Sequence, residues 1–436
     1  MVIIKPFKTT ILNPGIPDLN KLICPVYDVI DKTEYDNYGN NSNNIIHLTT
    51  RNNSVDSVEF IDKAKKNLTR LFIEGILKES KHPALYIYGI RYSLPDDMMR
   101  DVSGTGERNI YFAFGLVALV KIEHPGKGNI VGHENIFEKN SIERSELMKA
   151  CRMNFAPIVS EYNMPGHDIN IILEDYLGFK RPELVLRDDR PPLVDLTLHN
   201  TRHLLWEISD IEVIRNIQEL MSDKKLLILD GHHRFSAARR LSKQDGIDYT
   251  MMMLMEGGDR ALLLLPWHRC IRNYNHDMLN TQLDRFFSII WKGDQNDEFN
   301  RILHTKDDKF DVRIGFYNKK TFSVIRAHRD KVIQLSDKLG EKTGLDYLSL
   351  NEWIIEPCID GNKEDNIVFT DSVSDAALKV DGQGFNAAFL MRPLTIKDVE
   401  YKAHVEMKNF PQKSTLFLPK VAEGIIMRRI EEDEHK

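Results

Sequence analysis

The sequence predicts an α/β (α+β) fold, and three observations carry the prediction. Apolar, strand-like stretches alternate with amphipathic, helix-like ones between His203 and Arg240. Two long apolar runs, ALYIYGIRY (84–92) and YFAFGLVALVKI (111–122), flank a polar link that contains glycine. The apolar stretch LLIL (226–229) stops abruptly at Asp-Gly-His-His-Arg (230–234). Strand, helix, strand, helix in succession implies sheets covered by helices in layers. The 436 residues, 42% hydrophobic and 28% charged, have an ordinary globular composition. They exceed a single core, which seldom grows beyond about 250 to 300 residues.

The first lobe spans 1–124. A loop-rich start, ILNPGIPDLNKLICPVYDVI (11–30), precedes a polar NNSNN. A helix follows over Val55 to Leu77, with Phe60, Ala64, Leu68, Leu71 and Phe72 on one face. The two long apolar runs then pair as antiparallel strands across the link 98–109. The middle lobe spans 125–261. It holds a helix over SIERSELMKACRMN (141–154) with Ile142, Leu147 and Cys151 facing inward, and a strand in APIVSEY (156–162). After the Pro-rich connection 187–194 come a strand, HLLWEI (203–208), and a helix, DIEVIRNIQELMSD, capped by Asp210. LLIL is the next strand, and the helix after it begins near Phe235. The run Met251 to Met255 is buried strand packing. The C-terminal lobe spans 262–436, with a hairpin of FDVRIGFY and TFSVIRA around a polar turn and a helix from Thr395.

Charge and composition narrow the function classes. The 59 basic and 65 acidic residues leave a net charge of −6, with no basic excess to hold a polyanion, so nucleic acid is disfavoured as a partner. The longest apolar run, Ile110 to Val120, falls short of the roughly 20 residues that cross a bilayer, so no membrane partner is expected. Cys24, Cys151, Cys270 and Cys358 lie far apart without a Cys-x-x-Cys pair, the pattern of reduced thiols in a cytoplasmic protein. Oligomeric state is left open.

The Asp230 to Arg234 turn carries the chemistry. Gly231 permits the strand-to-helix reversal and the close approach of a ligand. The first N–H groups of the new helix favour an anion, by about 0.3 to 1 kcal/mol, so full charges must help. Arg234 offers a planar fork for phosphate, and His232 and His233 each offer a donor. Asp230 repels phosphate unless it caps the helix, orients a histidine or holds Mg2+.

At these residues the sequence resembles the ParB/sulfiredoxin-like superfamily, and within it the Asp-Gly-His-His-Arg members that include the free serine kinases. Over nearly its whole length it is similar to domain of unknown function family 1015. The landmarks are KPF (5–7), PVYDVI (25–30), HENIFEKNSIERSELMKACRMNFAPI (133–158), DGHHR (230–234), AAFLMRP (387–393) and FPQKSTLFLPK (410–420). The resemblance implies a ParB/sulfiredoxin-like nucleotide-binding core with added N- and C-terminal lobes. In the kinases a Pro-His-Glu-Glu segment precedes the turn and its first Glu is the base. His133-Glu134 occupies that place here, which makes Glu134 the catalytic candidate and implies an insert between the two motifs. Sulfiredoxins carry a cysteine where this chain has His232, so sulfinate repair is not expected. The basic DNA-binding helices of ParB proteins have no counterpart, which disfavours a DNA-binding or nuclease role.

The expected function is therefore a small-molecule kinase that uses ATP or ADP with Mg2+ and phosphorylates a small hydroxyl-bearing metabolite, free L-serine being the best single choice. Asp230, Gly231, His232, His233 and Arg234 would cradle phosphates, with Asp230 as a candidate Mg2+ ligand and Glu134 as the base. Further candidates for substrate contact are His133, Arg152, Asn154, Lys413, Ser414, Thr415, Lys420, Tyr27 and Asp28. The competing expectation is a nucleotide-binding regulator that hydrolyses slowly and acts through a partner.

Overall fold

The computed structural model describes residues 1–430 apart from 53, 95–97, 99–109, 124–127, 137, 179–188, 320, 360 and 362. The polar link expected at 98–109 apart from Met98, residues 124–127, part of the connection at 187–194, and Phe137 lie outside the described residues. The architecture is α+β, built on one large mixed sheet and a second sheet of six strands.

The large sheet takes β1 (Ile4–Lys5), β2 (Leu85–Ser93), β3 (Ile110–Lys121), β4 (Ile130–Val131), β5 (Ile158–Tyr162), β6 (Val194–Leu198), β7 (Thr201–Ile208), β8 (Leu226–Asp230) and β9 (Tyr249–Glu256). Their spatial order is β6-β7-β2-β3-β9-β5-β8-β4, with β1 beside β3. The long apolar runs pair antiparallel as expected, with Tyr88 opposite Gly115. β9 carries the methionine run, and all of its residues are buried, as a strand covered on both faces requires. It lies antiparallel to β3 and parallel to β5. Strands of 1–124 and of 125–261 thus share one sheet.

Helices cover this sheet where their caps and apolar faces dictate. α1 (Ser57–Ile73) starts at Asp56, whose side chain accepts from the Glu59 N–H, and buries Phe60, Ala64, Leu68 and Leu71. α2 (Glu138–Cys151) buries Leu147 and Cys151, but Ile142 is 36% exposed, against expectation. Arg144 faces inward instead, because Tyr27 and Thr49 come from distant segments to receive it. α3 (Ile211–Met221) is capped by Asp210, which accepts from the N–H groups of Glu212 and Val213. α4 (His232–Asp245) begins immediately after Gly231, not near Phe235.

The second sheet includes the expected hairpin, Arg313–Tyr317 against Phe322–Ala327. The C-terminal segment then returns across the molecule: Leu416–Leu418 pairs with Leu263–Leu265, and Met427 pairs with Thr10. The four cysteines are buried and form no disulfide with one another. Among the described residues no helix is long and apolar enough to cross a membrane.

Candidate active site

Every residue of β8 is buried, and its pairing with β5 slips between Ile228 and Asp230, so the strand ends in a bulge. Gly231 follows at φ +90°, and α4 starts there with no side-chain cap among the described residues. The first amides of a 14-residue helix are thereby turned toward the strand end. A Cβ at Gly231 would stand 2.9 Å from Nε and Nη2 of Arg234. Gly231→Ala is therefore expected to lose about 1 to 2 kcal/mol from the left-handed backbone alone, and more from the contact, read as a lower denaturation midpoint.

Arg234 is tied into the fold. Its Nη1 donates to the Pro157 carbonyl at 2.6 Å and its Nη2 to Asp230 Oδ2 at 2.8 Å. Lys420 Nζ donates to the other oxygen, Asp230 Oδ1. Burial pushes the Asp230 carboxyl up, but Lys420 and Arg234 outweigh it and hold the group well below the usual carboxylate range. Two of the five Arg234 N–H groups are thus engaged within the fold, while the side chain still lines the cleft. Asp230 does not fit the expected Mg2+ ligand, since both of its oxygens are engaged by cations. Among the described residues no group of three or more His, Cys, Asp or Glu side chains could hold a metal.

Glu134 reaches this turn from another stretch of chain. The His133 carbonyl accepts from the Phe410 N–H at 2.7 Å and the Asn135 N–H donates to the Phe410 carbonyl at 3.1 Å, so 410–415 runs beside 133–135. Glu134 Oε1 accepts from the N–H of Ser414 (3.0 Å), the N–H of Thr415 (2.8 Å) and the Thr415 hydroxyl (2.5 Å). His133 is fully buried. Its Nδ1 stands 2.8 Å from the Ile228 carbonyl and therefore carries a proton, while Nε2 stands 2.7 Å from Thr415 Oγ1. Thr415 Oγ1 therefore lies between the carboxylate and the imidazole, and its single proton serves one of them at a time. The Ser414 hydroxyl donates back to the Pro411 carbonyl at 2.7 Å.

These parts line one cleft of about 60 Å³, room for a few waters or a phosphoryl-sized group. Glu134, the Asp230 to Arg234 turn, Lys413, Thr415, Lys420, Tyr27 and Asp28 all contribute to its wall. Lys413 Nζ lies 4.0 Å from Asp28 Oδ2 and 5.1 Å from the centre of the Trp267 ring. Burial lowers the pKa of His133, His232 and His233, against the pull of Glu134 on His133 and of Asp28 on His233, so all three favour the neutral form. The His133 N–H donates to His232 Nε2 at 3.3 Å. Behind Tyr27 and Arg234 a smaller cavity of about 40 Å³ is walled by Leu147, Met153, Phe155 and Glu423. Burial pushes the Glu423 carboxyl up to about 7.

Four candidates are not part of the cleft wall: His133 and Ser414, which stand behind Glu134 and Thr415, and Asn154 and Arg152. Asn154 is buried and accepts from Arg428 Nη1 at 3.1 Å. Arg152 sits at φ +52° in the turn after α2, where its carbonyl accepts from the Ile430 N–H at 2.8 Å. Neither lines the cavity with Glu134. Trp267, which the sequence reading passed over, does line it, and its indole N–H donates to the Thr415 carbonyl at 3.0 Å. Its only sequence signal was an isolated aromatic before a strand.

A family model described as "Protein of unknown function (DUF1015)" matches residues 4–346. No curated protein matches the chain. Among solved structures, SbnI with a C-terminal truncation from Staphylococcus aureus is similar at 10% identity and a TM-score of 0.40, over 73% of this chain and 90% of that one. A free serine kinase in complex with AMP is similar at 10% identity and a TM-score of 0.35, over 66% and 84%. A conserved hypothetical protein from Pyrococcus furiosus is similar at 11% identity and a TM-score of 0.33, over 66% and 87%.

Proposed function

The chain belongs to the DUF1015 family, whose description assigns no activity, and from the cleft itself we propose a small-molecule kinase that transfers a phosphoryl group from ATP or ADP to a hydroxyl acceptor. The best single acceptor is free L-serine. One observation carries the reading: a carboxylate, a helix N-terminus without a side-chain cap and two lysines of the C-terminal segment, from three distant stretches of chain, line the same phosphoryl-sized cleft.

Phosphoryl transfer asks for positioning and for neutralising charge spread over the phosphoryl oxygens. In this proposal the first amides of α4 take phosphate oxygens, with Lys420 and Lys413 supplying the full charges. The acceptor oxygen attacks the terminal phosphorus, the bond to the leaving nucleotide oxygen breaks, and Glu134 takes the hydroxyl proton. The oxygen available for it is Oε2, since Oε1 is occupied by Ser414 and Thr415. The nucleoside extends out of the cleft, whose wall includes Trp267. No step is assigned to Mg2+.

A second reading, a nucleotide-binding regulator with slow hydrolysis acting through a partner, draws on one fact. Three hydrogen bonds onto Glu134 Oε1 are also what a carboxylate that merely anchors a loop would show. Phosphorus NMR of the protein with ATP or ADP and a panel of amino acids and small alcohols separates the two. A kinase consumes nucleotide only when an acceptor is present and yields its phosphomonoester. A regulator releases inorganic phosphate slowly, whatever alcohol is added.

A further inference from the structure

A second cleft, of about 570 Å³, lies between the start of β8, the end of β5 and the helix Ile396–Tyr401 with its π-helical continuation Lys402–Glu406. That volume falls among small-molecule sites, which run from about 300 to 1,000 Å³. Glu161 of β5 lies at its base. The residue is 2% exposed, and neither carboxyl oxygen has a hydrogen-bond partner among the described residues. Burying a carboxyl without a hydrogen-bond partner is costly. Burial first, and then Glu400, pushes the group up to about 8.

The charges of the cleft are layered. Glu161 lies at the base and Glu400 is half-buried on the helix wall, while Lys225 and Lys397 stand exposed. Lys224 is paired with Asp223 at 2.9 Å, and His404, held neutral by burial and by Lys225, completes the wall. A simple anion would meet the two carboxyls. A divalent cation would meet the lysines, and the described residues offer it no group of three His, Cys, Asp or Glu ligands. A molecule whose ammonium enters first and whose anionic group trails satisfies both layers. We propose that this cleft binds a small zwitterion, an α-amino acid or close analogue, with its ammonium on Glu161 and Glu400 and its carboxylate facing Lys225 and Lys397. The site is separate from the Glu134 cleft and stands whether or not the kinase reading does.

Calorimetric titration of the full chain with each common amino acid tests this, with propylamine and propionate as single-charge probes. At least one amino acid is expected to saturate the wild-type protein, and both probes to bind about tenfold or more weakly. Glu161→Gln should cost about tenfold or more in affinity, while Glu134→Gln leaves the binding unchanged. Should Glu161→Gln fold poorly, Lys397→Met serves: it should weaken the amino acid and spare propylamine. The proposal is overturned if no amino acid binds, or if binding survives both Glu161→Gln and Lys397→Met. It is equally overturned if the binding is lost in Glu134→Gln, which would assign it to the other cleft.

Discussion

Glu134→Gln is expected to slow phosphoryl transfer by about 10² to 10⁴, the usual worth of a general base, while nucleotide affinity stays within about threefold, less than 1 kcal/mol. The side-chain oxygen of glutamine can still accept from the N–H groups of Ser414 and Thr415, so the loop that carries Lys413 keeps its place. What glutamine cannot do is take a proton from the acceptor. Glu134→Ala should behave differently, because it also frees those two amides and the Thr415 hydroxyl and lets the 410–415 segment drift from 133–135. It should lose both rate and affinity. Single-turnover rates beside equilibrium nucleotide titrations for the two variants make the comparison. A glutamine variant that turned over at the wild-type rate would reduce Glu134 to an anchor and favour the regulator.

Asp230→Ala carries the second large effect, a loss of about 3 kcal/mol or more of folding stability. Removing the carboxylate leaves Arg234 and Lys420 facing each other in a mostly buried site, and breaking such a pair on one side typically costs about 3 to 5 kcal/mol. The measurement is guanidinium denaturation of variant and wild type at neutral pH. Acid adds a check of sign. Asp230 titrates lower in the folded protein than its unfolded value of about 3.9. Its contribution is therefore fully present above that value and is lost as pH falls through the folded one. The difference between wild type and Asp230→Ala should stay level from pH 7 to 5 and shrink only in stronger acid.

Much of the fold was legible because its signals are local. Asp56, Asp210 and Thr395 cap the helices that their spacing announced, and the methionine run is the buried strand its composition implied. The misreadings share one cause, a partner from far along the chain. Ile142 was placed inward by helical periodicity, yet Arg144 takes that side because its guanidinium stacks on Tyr27 at 4.2 Å and donates to the Thr49 carbonyl. The residues that follow the Pro-rich connection, Val194–Leu198, form an edge strand that the sequence does not announce, fixed by Thr201–Ile208 beside it. At the site, the motif residues were visible but their division of labour was not. Arg234 has the chemistry of a phosphate clamp, and nothing in the motif announces that two of its N–H groups go to Pro157 and Asp230. Thr415 had no reason in sequence to stand between His133 and Glu134, since the contact depends on how the C-terminal segment returns.

The central claim is spatial, that a phosphate rests on the first amides of α4 with Glu134 across from it. A crystal structure of the protein with ADP tests it most directly. The expected result is a phosphate within hydrogen-bond distance of the backbone N–H groups just after Gly231 and of Lys420, with Glu134 Oε2 facing the terminal phosphorus across space for a hydroxyl. ADP bound elsewhere, with this cleft left to water, would contradict it.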